Sequence, residues 1–491
     1  MRKMSTLMAL LITGYILGVL NFLLMPKYYI AFGLKGFVLS LVALGAGLIL
    51  IYGELEATRK TRYLIHEFMV KVSRLPAITI ILLMFLMLFG AINLYYSGFA
   101  LLKLFDLGPT MLILLLLVIV TLIWLFLIIL RGRSVEFIGI LAVLFIVFAF
   151  VSLFLMRAQV YDFVRSETAL NYLNSYRHAV LSFDHPLTAR GTIMMLITVL
   201  LSLGLGAGVY YVLGSFAPSD LDFRKLLAVV LLLQILLSFT AAFTTVYAIG
   251  AAYQSYENNQ IKYKQIHEEL GKVFSNPNLT AEEAMKKYNQ LQKVLKGINQ
   301  TLTNFQKVKG YASLSDENPI RAIETFYLIP DIIRESGIGG SSAIIFLLMG
   351  SLFLAGFTTL IVLVEIGAQI SAEMFQMKRN TSVSFVSGIV LILSAAMMVS
   401  GIKVMFLAAL LGVGGLIIAL EGAPLLVGVS PVDRRLIGVG VLASAVIGLI
   451  SLRTMLSFKG SYIPLGILVG LLLFLPMLFN NYLMAGSRRG R

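Results

Sequence analysis

Gly14-Tyr15-Ile16-Leu17-Gly18-Val19-Leu20-Asn21-Phe22 sits inside an apolar stretch, residues 5–25, that is long enough to cross a bilayer as a helix. Two glycines four apart and an asparagine are poor choices for an unbroken span. The same character returns at Ser202-Leu203-Gly204-Leu205-Gly206-Ala207-Gly208. Glycine in membrane helices commonly serves close packing, and that reading stands beside a sharper one. In the sharper reading both helices are broken. Irregular backbone is tolerated at membrane depth only where it lines a cavity or packs within protein. Gly-interrupted spans at matching places in two halves of a chain therefore point to a cargo site.

The composition around these stretches calls for a membrane. Of 491 residues, 59% are hydrophobic and 13% are charged, and the mean hydropathy is +0.93. A soluble domain is about 45–50% apolar and about 25% charged. The expected fold class is an all-α polytopic membrane protein. Twelve spans are predicted, at 5–25, 31–53, 76–104, 109–130, 135–156, 191–214, 225–252, 340–372, 382–400, 404–428, 436–452 and 461–484. The two glycine-rich stretches fall in the first and sixth, five spans apart. That spacing predicts two five-helix repeats of opposite orientation followed by two further helices. The N-terminal stretch has no small-residue cleavage site and reads as the first helix.

The net charge of +15 comes from 39 Lys+Arg against 24 Asp+Glu. Between membrane spans such residues record orientation and not an affinity for nucleic acid. With the N-terminus inside, eighteen of the basic residues fall in inner loops and ten in the short outer ones. Both termini are thus expected in the cytoplasm of a multi-pass protein of the cell membrane. There is no cysteine and there are four histidines, so neither thiolate nor His-rich metal sites are expected. An enzyme would need convergent acids, bases or metal ligands. The spans supply mainly Glu54, Glu365 and Glu421, which lie far apart in sequence. The chain is not expected to be an enzyme, although acids within spans are functional candidates by default.

The expected organisation is a first repeat over 1–157, an extracellular loop at 158–190, helices six and seven over 191–253, and an extracellular helical insert at 254–338. Helices eight to ten follow over 339–428, then two last helices and a basic cytoplasmic tail over 429–491. Inside the insert, Thr280-Ala281-Glu282-Glu283 reads as a capping box. Met285, Tyr288, Leu291, Leu295, Ile298 and Leu302 then recur at helical spacing. Ser275-Asn276-Pro277-Asn278 reads as a turn, and 261–274 as a second helix packed on the first. The insert is either a cap over the outer face or a docking site for a protein partner.

Two further pairs bear on chemistry. Thr358 and Thr359 follow Ala355 in the eighth span. Such hydroxyls usually bond the carbonyl a turn back, or they join free carbonyls around a hard cation such as Na⁺. Tyr95 and Tyr96 are packing aromatics or phenols facing a cavity, able to donate to a carboxylate.

In order along the chain, these stretches resemble the neurotransmitter:sodium symporter family, especially its prokaryotic amino-acid transporters with the LeuT fold. Gly14, Gly18, Asn21, Phe22 and Pro26 are similar to that family's first helix. Gly33, Gly36, Phe37, Glu54 and Arg59 are similar to its second helix, and Tyr95-Tyr96 to its third. Ser202 to Gly206 looks like the unwound stretch of its sixth. Phe326 to Ile333 with Gly337, Gly339 and Gly340 looks like its outer loop, and Ala355 to Thr359 with Glu365 and Glu373 like its eighth helix.

The resemblance implies a sodium site at Gly14, Leu17, Ala355, Thr358 and Thr359. It implies a second, eroded site at Ile16, Asn21 and Gln234, with Leu200 where a hydroxyl ligand belongs and Ser238 near a chloride position. Substrate would meet Gly18, Val19, Leu20, Tyr96, Ser202, Gly204, Leu205 and Gly206. An inner gate would pair Arg2 or Lys3 with Glu373. Leu20 and Leu24 depart from the family. Leu24 stands where it has an outer-gate arginine, and no acid occurs near Val404, so the outer closure must differ or be apolar. The implied activity is Na⁺-coupled symport of a small zwitterion, an amino acid by family analogy. The alternative is a transport-inactive receptor or scaffold acting through 254–338.

Overall fold

A computed structural model describes residues 2–16, 18, 22–129, 134–274, 280–311 and 318–489. Helix α1 (Arg2–Ile16) is short for a span. After the interruption the chain enters α2 (Met25–Thr61), which holds only the last residue of the expected 5–25 span and all of the expected 31–53 span. It turns at Gly33, with φ 57° and ψ −145°, inside the stretch expected as the second span. A side chain there would overlap the carbonyl oxygens of Ala179 and Ser182. Only a residue without Cβ allows this turn under the loop carrying those carbonyls.

A short helix α3 (Ile65–Phe68) leads into α4 (Pro76–Leu104). Next come α5 (Leu112–Ile129), α6 (Ser134–Phe163) and the connecting α7 (Glu167–Leu181). The sixth span is again two pieces, α8 (Ala189–Ser202) and α9 (Val209–Phe216). Helix α10 (Phe223–Lys272) runs for 50 residues. At 1.5 Å per residue that is about 75 Å, more than twice the ~30 Å of a hydrocarbon core. Its polar second half must therefore project beyond the bilayer. The expected separate helix at 261–274 is instead the continuation of α10, since nothing in that stretch interrupts the helix. The expected turn at 275–278 lies outside the described residues.

Helix α11 (Ala281–Tyr311) runs back along the projecting half of α10. Lys287 and Glu269 pair at 2.9 Å, and Phe305 stacks on Tyr256 with ring centroids 4.5 Å apart. The capping box forms: Glu283 N–H donates to Thr280 Oγ1 at 3.3 Å, and Thr280 N–H to Glu283 Oε2 at 3.0 Å. The Thr280 N–H, and after it the Thr280 hydroxyl, both donating to Oε2, hold the Glu283 carboxyl below the usual carboxylate range.

Two short helices, α12 (Pro319–Phe326) and α13 (Ile329–Ser336), lead to α14 (Ser341–Phe375). The chain ends with α15 (Arg379–Ala396), α16 (Ser400–Gly422), α17 (Arg434–Leu456), α18 (Tyr462–Leu472) and α19 (Asn480–Arg489).

Among the described residues, ten helices are long and apolar enough to cross a membrane. The other two expected spans are the divided ones. In the most apolar stretches of α4 and α14, 89% of residues are buried, against 28% near the C-terminus. α4 and α14 therefore form the centre, whereas α17 and the helices after it are largely exposed on the outside of the bundle. Around that centre α14 packs on α4 and α6, α1 on α6 and α14, and α2 on α8 and α9. The first broken span is thus held against the enclosed α14, and the second against α2.

Candidate functional site

The first interruption lies against α14. Of its residues, Gly14, Ile16 and Gly18 are described. Leu17, Val19, Leu20 and Asn21 lie outside the described residues. Helix α1 ends at Ile16, whose carbonyl accepts from Gly18 N–H at 2.8 Å instead of continuing the helix. Thr358 Oγ1 sits 3.1 Å from Gly14 O, 3.0 Å from Leu354 O and 3.0 Å from Ala355 O. Thr359 Oγ1 is 2.9 Å from Ala355 O and 3.5 Å from Tyr15 O. Both threonines are buried. Each hydroxyl has one proton to donate. A single hydroxyl among three carbonyl oxygens leaves lone pairs facing one another. The structure thus brings together Gly14, Ala355, Thr358 and Thr359, four of the five residues expected at the first ion site.

The second interruption is built differently. Gly204, Gly206 and Gly208 have φ of 72°, 94° and 70°, a region closed to most side chains. A Cβ on Gly206 would meet the Phe85 ring at 2.6 Å. The freed N–H groups of Gly206 and Gly208 both point at the carboxylate of Glu421 on α16, Gly208 N to Oε1 at 2.6 Å. Tyr211 OH donates to Glu421 O at 2.8 Å. A phenol from the first interruption reaches the second, since Tyr15 OH donates to Gly204 O at 2.7 Å. Leu205 and Leu203 are buried beside it. The freed Gly206 and Gly208 N–H groups and the Gly204 carbonyl are therefore satisfied from inside the protein, as low-dielectric surroundings require.

No protein-family model matches the chain, and no curated protein matches it. Among solved structures it is similar to the crystal structure of MhsT in complex with L-phenylalanine. The TM-score is 0.54 at 14% identity, over 94% of this chain and 98% of that one. The fold is LeuT-type. At this identity the likeness carries the architecture, and the residues below are read on their own geometry.

Gln234 on α10 donates from Nε2 to Ser202 Oγ at 2.9 Å, and Ser202 Oγ donates to Val199 O at 2.7 Å. Ser202, expected near an amino group, and Gln234, expected near an ion, are thus neighbours at the end of α8. Ser238 lies one turn further along α10 and is buried, as is Leu200. Tyr96 is buried on α4, and among the described residues nothing bonds its hydroxyl. Over it lies Tyr327, from the turn between α12 and α13. The rings stack at 5.7 Å, and Tyr327 OH donates to Tyr96 O at 2.9 Å.

The gates are arranged in unexpected ways. Glu373 Oε1 accepts from Glu67 N–H at 2.7 Å and Oε2 from His66 N–H at 3.2 Å. Its carboxylate thus holds the start of α3. The side chains of its expected partners, Arg2 and Lys3, lie outside the described set. Leu24 is buried. On the insert side, charged pairs fasten α12 and α13 instead: Lys403–Glu324 at 2.6 Å, Lys103–Asp331 at 2.5 Å and Arg334–Asp106 at 2.8 Å. Glu365 pairs with Arg379 at 2.6 Å.

Two contributors escape motif reading. Glu421 stands out in sequence only as an acid within a span, with nothing to say which helix it serves. Tyr15 reads as one more aromatic among aliphatics.

Proposed function

We propose that this chain is a sodium-coupled symporter of a small zwitterion of the amino-acid class, working by alternating access. The observation that carries the reading is the oxygen cluster of Gly14, Ala355, Thr358 and Thr359 beside the first helix interruption. Leu17, by the family pattern, would complete it. Substrate would lie between the two interruptions and Tyr96. There Tyr96 OH is free to donate to a carboxylate, and MhsT with its L-phenylalanine offers an example of an amino acid held by this fold. The second ion position, at Ile16, Asn21 and Gln234, lacks a hydroxyl at Leu200, which favours one Na⁺ per cycle.

Closure on the insert side would come from Tyr327 over Tyr96, with the Lys403–Glu324 and Lys103–Asp331 pairs holding the lid. That arrangement answers the missing arginine at Leu24. One Na⁺ suffices energetically. A charge crossing 100 mV yields about 2.3 kcal/mol, and a tenfold Na⁺ gradient adds about 1.4 kcal/mol. Together they sustain a neutral zwitterion gradient of several hundred-fold.

The test is accumulation and counterflow in proteoliposomes across an amino-acid panel. Accumulation that needs Na⁺ and not K⁺ or choline is the expected result. Uptake indifferent to that replacement would sink the coupling. A chain that binds neither Na⁺ nor any amino acid, judged by thermal stabilisation, would instead act as a scaffold through 254–338.

A further inference from the structure

Among the described residues, Glu54 is a buried acid without a hydrogen-bond partner. It lies on α2 with 0% exposure. Among the described residues, nothing forms a hydrogen bond with either oxygen of its carboxylate. Its turn of α2 packs on the end of α16, where a Cβ on Gly53 would meet Leu425 at 2.9 Å and one on Gly422 would meet Leu50 at 2.8 Å, and this sets Glu54 beside Glu421. The other groups in electrostatic reach are the phenols of Tyr15, Tyr210 and Tyr211, and none of the four is a cation. Glu421 is itself fully buried, and its two oxygens are engaged by Gly206 N–H and Gly208 N–H at the second interruption.

Two adjacent carboxylates cannot both stay ionised in a dry interior without a counter-charge. Glu421 has what an anion needs, two backbone donors and the amino end of the eight-residue α9. Glu54 has neither. A metal cation is a poor answer, because hard cations want about six oxygens and Glu421 already faces N–H groups. A proton needs one oxygen.

We propose that Glu54 and Glu421 form a proton-binding site that holds one proton, on Glu54, while the second interruption is seated on Glu421. A consequence follows for movement. If α8 and α9 leave Glu421, its carboxylate loses both N–H donors and becomes the stronger base. It then takes a proton from water, forming an O–H bond and leaving hydroxide to the buffer. Seating the interruption again returns that proton. By reciprocity, acid conditions favour the unseated arrangement. This coupling rests on the alternating-access reading, whereas the resident proton does not.

The test is infrared spectroscopy of the purified full chain in lipid nanodiscs at neutral pH. A buried carboxylic-acid C=O band is expected, absent in Glu54→Gln and retained in Glu365→Gln, whose acid is paired with Arg379. No such band in the wild-type chain overturns the proposal even if Glu54→Gln fails to fold. So does a band that a correctly folded Glu54→Gln retains. The coupling is read separately, as proton uptake in weakly buffered proteoliposomes during counterflow, expected in the wild type and lost in Glu421→Gln. A Glu54 band with active counterflow but no proton movement would make the Glu54 proton a static one and overturn the coupling. A Glu54 band with no counterflow at all would instead count against the transport reading.

Discussion

The two interrupted spans solve the same problem with opposite polarity. At the first, carbonyl oxygens of Gly14, Tyr15, Leu354 and Ala355 meet two hydroxyls, Thr358 and Thr359, so acceptors outnumber donors. At the second, the N–H groups of Gly206 and Gly208 meet the Glu421 carboxylate. The difference teaches what each break is suited to. On the proposed reading, the excess of oxygens would take a cation from outside, while a break capped by a fixed acid would need none. Tyr15 links the two, since it belongs to the first and bonds Gly204 O of the second.

The comparison breaks most readily at the oxygen cluster. Thr358→Val combined with Thr359→Ala should abolish Na⁺ dependence of uptake, and should also remove Na⁺-induced thermal stabilisation. Unchanged stabilisation by Na⁺ would mean that the first interruption resembles the second and needs no ion. Next in size is Gly206→Ala. Forcing a side chain into φ 94° costs about 1–3 kcal/mol, and the Phe85 ring adds a clash at 2.6 Å. A large drop in melting temperature is expected, with Na⁺ stabilisation of the remaining folded protein retained.

Tyr15→Phe tests the link. It leaves the buried Gly204 carbonyl without its donor, a loss of about 1–3 kcal/mol. Destabilisation together with a weaker Na⁺ response would show the breaks acting together, whereas destabilisation alone would show them independent. The smallest effect is expected far from both, at Thr280→Ala, which costs helix α11 about 1 kcal/mol. Because the folded state lowers the Glu283 pKa, the capping contribution is complete at neutral pH. It fades as the pH falls through the carboxylate range. Hydrogen exchange of α11 near neutral and near pH 4 should show this in the wild type and not in Glu283→Gln, whereas Thr280→Ala, which keeps the backbone N–H bond to Glu283, should show part of it.

Much of this architecture could be read from local pattern. The apolar windows, the glycines at 14, 18, 204, 206 and 208, and the Thr280–Glu283 box each encode their structure within a few residues. Boundaries were less legible where helices continue past the membrane. The 261–274 segment belongs to α10 because its helix never stops, and hydropathy alone ends a span at the bilayer edge. The contacts of α12 and α13 were not legible either. Tyr327 on Tyr96 and Lys403 on Glu324 join segments whose local sequence gives no hint of the partner.

The chain's own order of residues thus determined where helices run, where they break and that they lie in a membrane, because those outcomes depend on side-chain polarity and backbone freedom at short range. What each break is held by was decided only in three dimensions. Thr358 reaches Gly14 across 344 residues of sequence, and Glu421 reaches Gly206 across 215. A broken helix announces unpaired backbone groups. The residue that satisfies them is whichever one packing brings within a hydrogen bond.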